Sequence, residues 1–439
     1  MIVNGDPGTG KTEVLSHLQY LLENKKRECD EFDYMFVAFT GSASFLMNGE
    51  TIHSGFKIPT YDSQKLVTKT LSKKRHSKLK NVRLIVCDET SLLGLRLFNK
   101  MDKILRSVDP DNFQYAFANR SLILLGDIYQ TGPVGDFPLF STKSPRFNDD
   151  VRSARKVFQS FDTVVILDKY YRHDGEDEAQ MKLKLFLQRL KRCELISADI
   201  EYIRGRMERT LSEEERESFR RALRVFPLRW QVRECNSKIL RENYTDAEIV
   251  KIENGLQTLE LGLGCPIVLQ KNIASRVGLH NGCEGILVDI VYTNRTPNYF
   301  SPSEKINFLL VEFPGYTGEN FVRTARGVGI PIFRCSVPEQ QDDHEYVTSE
   351  RFPIDLNYAS TAHRSQGKTL PKVCIYLDEN QFCPGLDYVM FSRCKRINDI
   401  MILDNCILPQ RLIHKSFVKW QHVLLAEEKR LSSLEELCK

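Results

Sequence analysis

The chemistry in this 439-residue sequence starts at its fifth residue, where a glycine-rich run ends in a lysine and a threonine. Glycines let backbone N–H groups turn inward around phosphate oxygens, and a following helix points its positive N-terminus at the same anion. Lys11 would neutralise charge on the β- and γ-phosphates, and the Thr12 hydroxyl would face Mg²⁺. The pattern G-x-x-x-x-G-K-[ST] therefore predicts an ATP site, formed by Gly5, Asp6, Pro7, Gly8, Thr9, Gly10, Lys11 and Thr12.

A pair of acidic residues, Asp88 and Glu89, follows an apolar run at the point where a buried strand would end. In α/β folds, side chains at the carboxyl ends of strands reach the bound ligand. Asp88 would hold Mg²⁺ through water, and Glu89 would orient or deprotonate the attacking water. An isolated acid pair is equally typical of a solvated turn, but the preceding phosphate loop favours the catalytic interpretation.

Three further residues are candidates for contact with the γ-phosphate. Gln130 follows a third apolar run and could donate its side-chain N–H, although a polar loop residue is an equal alternative. Phosphoryl transfer also needs positive charge beyond the loop, and an inserted arginine is worth ~10³–10⁵ in rate. Arg172 and Arg393 are candidates for it, and a surface ion pair is the alternative for each.

The elements that must position these residues alternate between strands and helices. Short apolar runs predict buried parallel strands, at residues 34–39, 83–88, 121–127 and 163–167. Residues 11–24 carry one apolar face and predict a helix. This alternation predicts a parallel, doubly wound α/β sheet.

In the second half of the chain, the sequence pattern changes from alternating strands and helices to a β-rich stretch. Residues 212–237 are predicted to be helical, with a capping box between Ser212 and Glu215. Glycine and proline then punctuate β-like runs, which lie at residues 267–270, 285–292 and 308–313. They predict a small all-β insert. Buried-strand character returns at residues 372–377 and 400–403, and a helix is predicted over 409–439, so the insert interrupts a second α/β domain.

Composition predicts a globular protein of two to four domains. Hydrophobic residues make up 41% and charged residues 27% of the chain, which excludes a disordered class. No apolar run is long enough for a bilayer, so no membrane association is expected. The net charge of +4 allows a phosphate-bearing partner without requiring one. Twelve scattered cysteines form no C-x-x-C pair, which disfavours a zinc module and fits a reducing intracellular compartment.

Taken in order, these motifs resemble those of the PIF (petite integration frequency) family of superfamily 1B DNA helicases, relatives of RecD. The resemblance is collinear over about residues 2–403. Motif I corresponds to residues 5–12, the Ia and Ic region to 38–44 and 49–54, and motif II to 88–91. Motif III corresponds to 126–134, motif IV to 171–172, motif V to 360–370 and motif VI to 388–393. Residues 278–285 resemble the G-L-x-N-G-x-x-G segment that opens the family's SH3-like insert.

The resemblance implies two RecA-like P-loop NTPase domains with a small all-β, SH3-like insert in the second. Domain 1A would span residues 1–160, with a basic, wedge-like insert at about 57–82. Domain 2A would comprise 161–264 and 354–439, and the insert, 2B, would be 265–353. The insert in 1A contains a basic run without an acid, Lys65, Lys69, Lys73, Lys74, Arg75, Lys78 and Lys80. Duplex contact, a solvated loop and a nuclear-import patch all fit this run.

The resemblance also implies individual roles. ATP and Mg²⁺ would be surrounded by Lys11, Thr12, Asp88, Glu89, Gln130, Arg172, Gly367 and Arg393. The DNA strand would be contacted by Thr40, His53, Thr361, His363 and Ser365. Hydroxyls and backbone amides suit phosphate contact without reading sequence, and a histidine could stack on a base or hydrogen-bond to the strand. If His53 and His363 did not lie in these motifs, a turn residue without a DNA contact would be the favoured interpretation of each.

The implied activity is that of a monomeric, ATP-dependent motor on single-stranded and forked DNA, which unwinds duplex in the 5′-to-3′ direction. Roles in replication, repair, recombination and telomere maintenance follow, with an intracellular location that is nuclear in a eukaryote. Two alternatives stay open. One is a nucleic-acid-binding P-loop ATPase switch that does not unwind. The other is an N-terminally truncated, inactive remnant, because only four residues precede Gly5 where the family carries a Gln-containing, adenine-reading motif. Motif III also departs from the family, with Thr131-Gly132 in place of Leu-Pro.

Overall fold

The computed structural model describes residues 1–28, 33–59, 72–142, 148–171, 178–293, 306–318, 322–340, 346–378, 383, 385–404 and 418–438. The chain divides into two compact units. Unit 1 comprises Met1–Arg220 and Ser365–Lys439, and unit 2 comprises Arg221–Arg364. These bounds differ from the division into 1A, 2A and 2B, which stays a prediction.

Strands and helices are numbered here along the chain. The strands are β1 (Ile2–Gly5), β2 (Asp33–Ala38), β3 (Glu50–Thr51), β4 (Val82–Asp88), β5 (Ser121–Gly126), β6 (Val164–Leu167), β7 (Leu223–Phe226), β8 (Val250–Asn254), β9 (Gln257–Leu261), β10 (Pro266–Leu269), β11 (Glu284–Tyr292), β12 (Ile306–Glu312), β13 (Val322–Thr324), β14 (Gly327–Ile332), β15 (Cys335–Gln340), β16 (Tyr346–Arg351), β17 (Ile354–Leu356), β18 (Ala359–Thr361), β19 (Val373–Ile375) and β20 (Ile400–Ile402). The helices are α1 (Lys11–Glu28), α2 (Gly41–Leu46), α3 (Ile52–Phe56), α4 (Lys73–Asn81), α5 (Leu95–Val108), α6 (Asp149–Gln159), α7 (Glu178–Lys191), α8 (Ser197–Arg204), α9 (Glu213–Glu217), α10 (Arg229–Asn243), α11 (Ala362–Ser365), α12 (Leu386–Phe391) and α13 (Val418–Cys438).

Unit 1 is built on a six-stranded sheet in the order β3-β2-β4-β5-β1-β6. Every pairing in this sheet is parallel. The four strands predicted in this region are confirmed to within one residue at each end, and the predicted helix at residue 11 extends to Glu28. Because β4, β5 and β1 are neighbours, the segments that follow them emerge at one edge of the sheet.

The sheet of unit 1 is buried by helices on its faces. Phe98, Met101 and Leu105 of α5 are fully buried in the same apolar cluster as Val37 and Ile85 of the sheet. The helix α13 adds Leu431 to this cluster. It also covers the edge strand β6, because Glu435 Oε1 accepts a hydrogen bond of 2.9 Å from the Ile166 N–H. Apolar burial of this kind is the main favourable term in folding.

The helix predicted over residues 212–237 is wrong in part. The capping box is present, since the Glu215 N–H donates to Ser212 Oγ and the Ser212 N–H donates to Glu215 Oε2, each over 3.2 Å. Helix α9 nevertheless ends at Glu217, and the strand β7 separates it from α10. β7 pairs in parallel with β18, more than 130 residues later, and this tertiary pairing overrides the local pattern.

Unit 2 confirms the predicted all-β insert. Its sheet has the order β13-β14-β12-β11-β10-β17, with antiparallel neighbours throughout. Ile267, Leu287 and Leu309 are fully buried in its core. The hairpins β8–β9 and β15–β16 belong to the same unit, so β structure begins before residue 265, the predicted start.

The strands and helix predicted near the C-terminus are also found. β19 and β20 pair in parallel within unit 1. Helix α13 spans Val418–Cys438, whereas the first part of the predicted helix, residues 409–417, lies outside the described residues. Within the described ranges, no helix combines the length and apolarity needed to span a membrane.

Candidate nucleotide site and nucleic-acid interface

The loop between β1 and α1 has the backbone of a phosphate-binding loop. Gly8 and Gly10 have φ of +86° and +88°, a region that only glycine adopts readily. Lys11, the first residue of α1, turns back over the loop, and its Nζ donates to the carbonyls of Gly5 at 2.5 Å and Asp6 at 3.0 Å. Thr12 is exposed at the same helix end. The loop thus places a cation and a positive helix end around one concavity.

The segment after β6 anchors this loop. The Tyr171 N–H donates to the Gly8 carbonyl over 2.8 Å, and the Tyr170 hydroxyl donates to the Asp6 carboxylate. The Tyr171 ring lies so close to Gly10 that a Cβ there would be 3.3 Å from it. Arg172, which follows directly in sequence, lies outside the described residues, and its role stays a prediction.

Asp88 is the last residue of β4 and Glu89 follows it directly, as the sequence predicts; Asp88 is unusual in its pKa and Glu89 in its backbone conformation. Burial, followed by the charge of Glu89, raises the pKa of Asp88 to about 7, while the charge of Lys11 acts in the opposite direction. Glu89 has φ +54° and ψ +43°, a left-handed conformation that non-glycine residues rarely adopt. Such strain persists where the surroundings over-determine it, and it clusters at functional sites.

The donors near Asp88 fit a magnesium ion. A buried carboxylate that holds its proton near neutral pH is one whose charge a cation would stabilise. Mg²⁺ prefers oxygen ligands and often takes one or two carboxylates with substrate phosphates, so the Asp88 carboxylate and the Thr12 hydroxyl are suitable. Among the described residues there is no cluster of three His, Cys, Asp or Glu side chains that could hold a metal by itself.

Gln366, in motif V, contacts both motif II and motif III. Its Nε2 donates to Glu89 Oε2 over 3.0 Å and to Ser91 Oγ over 2.9 Å. Its Oε1 accepts a hydrogen bond from the Thr131 hydroxyl. The side chain is only 5% exposed, so these contacts are shielded from water. Sequence reasoning assigned no role to Gln366 or Thr131; the signal was that Thr131 departs from the family pattern.

Gly367 follows Gln366 and also faces Glu89. Its φ is +80°, and a Cβ at this position would lie 2.8 Å from Glu89 Oε1. Any larger residue would displace the carboxylate. The structure therefore brings Gly367 to the acid pair, and its expected contact with ATP stays a prediction.

Motif III places a second buried acid beside the loop. Burial, followed by the charge of Asp6, raises the pKa of Asp127 to about 6. Gln130 Nε2 donates to Asp127 Oδ2 over 3.3 Å, and within the described residues the buried Gln130 Oε1 has no hydrogen-bond partner. Gln130 thus lies at the site, but its amide N–H bonds to a carboxylate in this structure.

Arg393 is a buried arginine bound to backbone carbonyls. Its side chain is 1% exposed. The guanidinium donates to the carbonyls of Val389 at 2.7 Å, Lys368 at 3.0 Å and Ser365 at 3.2 Å, and to the hydroxyl of Ser392 at 2.6 Å. It therefore holds the backbone of motif V to α12. Contact with a γ-phosphate would require these bonds to be exchanged, and that role stays a prediction.

Two of the candidate DNA residues lie in unit 1 near the ends of β2 and β3. The Thr40 hydroxyl accepts from the Ala43 N–H over 3.2 Å and caps α2. The His53 ring packs edge-on against Phe39, with 5.9 Å between centroids. Burial, followed by the charge of Lys100, lowers the pKa of His53. His53 is therefore neutral at pH 7 and suits stacking rather than attraction of phosphate.

Two others lie in unit 2 at the end of β18. Thr361 Oγ1 accepts from the Arg364 N–H over 3.3 Å. Burial, followed by the charge of Arg229, lowers the pKa of His363, so this imidazole is also neutral at pH 7. Ser365, at the end of α11, is fully buried and exposes no surface to a DNA strand in this conformation.

The basic run is described only in part, because Lys65 and Lys69 lie outside the described residues. Its remainder forms α4, which Glu50 anchors through Arg75 at 2.7 Å and Lys78 at 2.6 Å. Burial by itself would raise the pKa of Glu50, but the hydrogen bonds from both cations outweigh it and lower this pKa to about 2. The exposed lysines of α4 are Lys73, Lys74, Lys78 and Lys80.

Residues 1–195 match the family model for the PIF1-like helicase. The chain is 25% identical over 445 residues to the ATP-dependent DNA helicase PIF6 of Trypanosoma brucei brucei, covering 92% of this chain and 50% of that one. It is 25% identical to human PIF1, covering 91% and 57%. It is 22% identical to Pif1 of Bdellovibrio bacteriovorus, covering 94% and 87%. The chain thus spans about half the length of the trypanosomal relative and 57% of the human one.

Solved structures of similar fold cover nearly the whole chain. Pif1 helicase from Candida albicans matches with a TM-score of 0.70 at 20% identity, over 99% of this chain and 95% of that one. Bacteroides Pif1 bound to ssDNA matches with a TM-score of 0.67 at 20% identity, over 98% and 94%. This likeness confirms the predicted fold class, α/β with RecA-like P-loop domains and a small all-β insert. The phosphate loop, the acid pair and motifs III and V lie on this fold, which the chain shares with the solved Pif1 helicases.

Proposed function

We propose that this chain is an ATP-dependent DNA helicase that moves along single-stranded DNA in the 5′-to-3′ direction and unwinds duplex. One observation carries the proposal. The phosphate loop and the Asp88–Glu89 pair lie at one sheet edge, where Gln366 of motif V binds Glu89 directly. A motor needs such a link between the hydrolytic acid and a motif that responds to DNA. The names of the trypanosomal, human and bacterial relatives support the activity.

In this proposal the residues around the loop share the work of hydrolysis. Lys11 and the loop amides hold the β- and γ-phosphates, while Glu89 orients and deprotonates the attacking water. Gln130 senses the γ-phosphate, and Arg172 and Arg393 stabilise its developing charge. Mg²⁺ would be held by Thr12 and Asp88 and would screen phosphate charge.

In motif V, the proposed DNA contacts are close in sequence to the residue that binds Glu89, so DNA binding could be coupled to hydrolysis. Thr361 and His363 precede Gln366 by five and three residues. DNA engaged by this segment would therefore act on the position of Glu89 through the Gln366 amide. Thr40, His53 and Ser365 complete the proposed strand contacts; for the buried Ser365 this contact would require the segment to move.

The proposed helicase activity also implies which partners the protein binds. Single-stranded and forked DNA are the proposed substrates, in line with relatives solved with ssDNA and at forked dsDNA. We also propose the 1A, 2A and 2B division, a monomeric motor, a role in genome maintenance, and an intracellular location that is nuclear in a eukaryote. None of the ten cysteines in the described part of the chain is in a disulfide, which supports a reducing compartment.

The first test is ATP turnover with and without single-stranded DNA. We expect DNA to stimulate turnover, and Lys11→Ala to abolish it while the circular dichroism spectrum is unchanged. An exposed lysine on the same helix, Lys25, provides the matched control Lys25→Ala. Turnover that DNA does not stimulate, or that survives Lys11→Ala, contradicts the proposal.

The second test is strand displacement on duplexes with a 5′ or a 3′ single-stranded overhang. We expect unwinding from the 5′ overhang only. ATP turnover without displacement would identify a nucleotide-dependent switch instead. DNA binding without turnover would identify an inactive remnant, and unwinding from the 3′ overhang would reverse the assigned direction.

A further inference from the structure

The phosphate loop contains an acidic side chain, Asp6, where a bound triphosphate would add more negative charge. The Asp6 carbonyl accepts from Lys11 Nζ over 3.0 Å and from Thr9 Oγ1 over 2.8 Å. The same residue therefore supplies a backbone contact to the phosphate lysine and a carboxylate close to it. Left unpaired, this carboxylate would oppose phosphate binding.

Lys191, the last residue of α7, compensates this carboxylate. Its Nζ lies 2.6 Å from Asp6 Oδ1 and 2.5 Å from Oδ2. The two side chains are only 9% and 12% exposed, so solvent screens the pair weakly. The Tyr170 hydroxyl is a further donor to the carboxylate. A buried charge that is paired from two sides is a built feature, because burying it alone would be costly.

The ammonium of Lys191 also reaches motif III. It lies 5.0 Å from the ring centroid of Tyr129. The Tyr129 hydroxyl in turn donates to Glu428 of α13 over 2.8 Å, and Arg192 binds the same carboxylate over 2.8 Å. Lys191 is thus held between the phosphate loop and motif III, and these contacts restrict it to one position.

We propose that Lys191 is a nucleotide-positioning residue. It neutralises the Asp6 carboxylate, so that the charge of Lys11 is available to the triphosphate, and it holds the loop against motif III through Tyr129. The inference rests on the proposed ATP function and adds a residue to it. Without Lys191, the uncompensated Asp6 carboxylate would repel the phosphates, so binding should weaken more for ATP, which carries more negative charge, than for ADP. Turnover at saturating ATP should change little.

The test is Lys191→Met, with dissociation constants for ATP and ADP from calorimetry and steady-state turnover for kcat and KM. We expect the ATP dissociation constant to rise about tenfold, which corresponds to roughly 1.4 kcal/mol, and the ADP constant to rise less. kcat should stay within about threefold. Lys191→Arg should retain most of the affinity. Lys182→Met is the matched control on the same helix, because Lys182 pairs with the exposed Glu178.

The double variant Asp6→Asn, Lys191→Met separates charge from packing. We expect it to bind ATP better than Lys191→Met, since no uncompensated carboxylate remains in the loop. Equal weakness of the single and double variants, or equal losses for ATP and ADP, would overturn the inference. If Lys191→Met does not fold, Asp6→Asn is compared with the double variant. Asp6→Asn, which keeps Lys191, must then bind ATP more tightly than the double variant. Wild-type protein that binds no ATP would refute the proposed function instead.

Discussion

Gln366 donates its side-chain amide to Glu89 Oε2 over 3.0 Å, although the two residues are 277 positions apart in the chain. The same amide nitrogen also donates to Ser91, and the amide oxygen accepts from Thr131. Both ends of the amide are therefore occupied, which fixes its orientation and that of the carboxylate. Glu89 has the geometry of an acid held in place by a residue from another motif.

Replacing Gln366 should therefore slow hydrolysis more than it weakens ATP binding. For Gln366→Ala we expect kcat to fall by about 10²-fold, in the range for a displaced general base, with little change in KM. Steady-state ATPase assays at saturating DNA measure both. Gln159→Ala, an exposed glutamine at the end of α6, is the matched control. An unchanged kcat would mean that Gln366 has only a structural role.

Thr131→Val should reproduce part of this effect. Valine keeps the shape of the buried threonine but removes the hydrogen bond to Gln366, and an unsatisfied buried acceptor costs about 1–3 kcal/mol. We expect a smaller fall in kcat than for Gln366→Ala and clear non-additivity in the double variant. Additive losses measured in this cycle would show that the two residues act independently.

The raised pKa of Asp88 predicts a pH-dependent stability of the nucleotide-free protein. Folded Asp88 keeps its proton up to about pH 7, while the unfolded carboxyl loses it at its ordinary, lower pKa. The folded state therefore binds more protons between these values, and stability falls as pH rises through this window. Asp88→Asn removes the effect, so its melting temperature relative to wild type should increase from pH 5 to pH 7 and then level off.

The measurement is thermal unfolding without nucleotide at several pH values. Asp246→Asn, at an exposed turn, is the comparison variant, and it should track the wild type at every pH. Asp88→Asn should also lose ATP turnover at all pH values, because an amide cannot replace the carboxylate. A melting difference that does not depend on pH would refute the raised pKa.

Arg393 should contribute to stability even without nucleotide. Arg393→Lys keeps a positive charge but cannot satisfy the carbonyls of Ser365, Lys368 and Val389 together. We expect a loss of roughly 2 kcal/mol or more of unfolding free energy, seen as a lower melting temperature. Arg396→Lys, on the exposed part of the same segment, should show no such loss. Unaltered melting of Arg393→Lys would favour a purely nucleotide-contacting arginine.

His53 and His363 should contact DNA as neutral rings. Their lowered pKa values leave both uncharged at pH 7, so neither contributes to counterion release. For His53→Ala and His363→Ala we expect losses of about 1–3 kcal/mol in affinity for single-stranded DNA, as for a lost stacking platform. The dependence of affinity on salt should keep its wild-type slope. Fluorescence anisotropy at several salt concentrations tests this, and a shallower slope would indicate charged imidazoles.

The sequence by itself determined the local elements of the site. The loop glycines, Lys11 and the Asp88–Glu89 pair are contiguous in sequence, and short-range sterics and hydrophobic periodicity suffice to place them on a strand, a turn and a helix. The parallel sheet and the all-β insert followed for the same reason. The strand β7 was not predicted, because it forms by pairing with β18, which is distant in the sequence.

Only the tertiary structure decided how the distant polar residues pair. Asp6 is a plain loop residue until α7 brings Lys191 to it, and Gln366 is one polar residue of motif V until Glu89, Ser91 and Thr131 surround its amide. Arg393 was expected to contact a phosphate; in this structure it is buried, and its guanidinium donates to the carbonyls of Val389 and Lys368. Hydrogen bonds of this kind depend on distances between separate elements, and no periodicity or spacing along the chain encodes those distances.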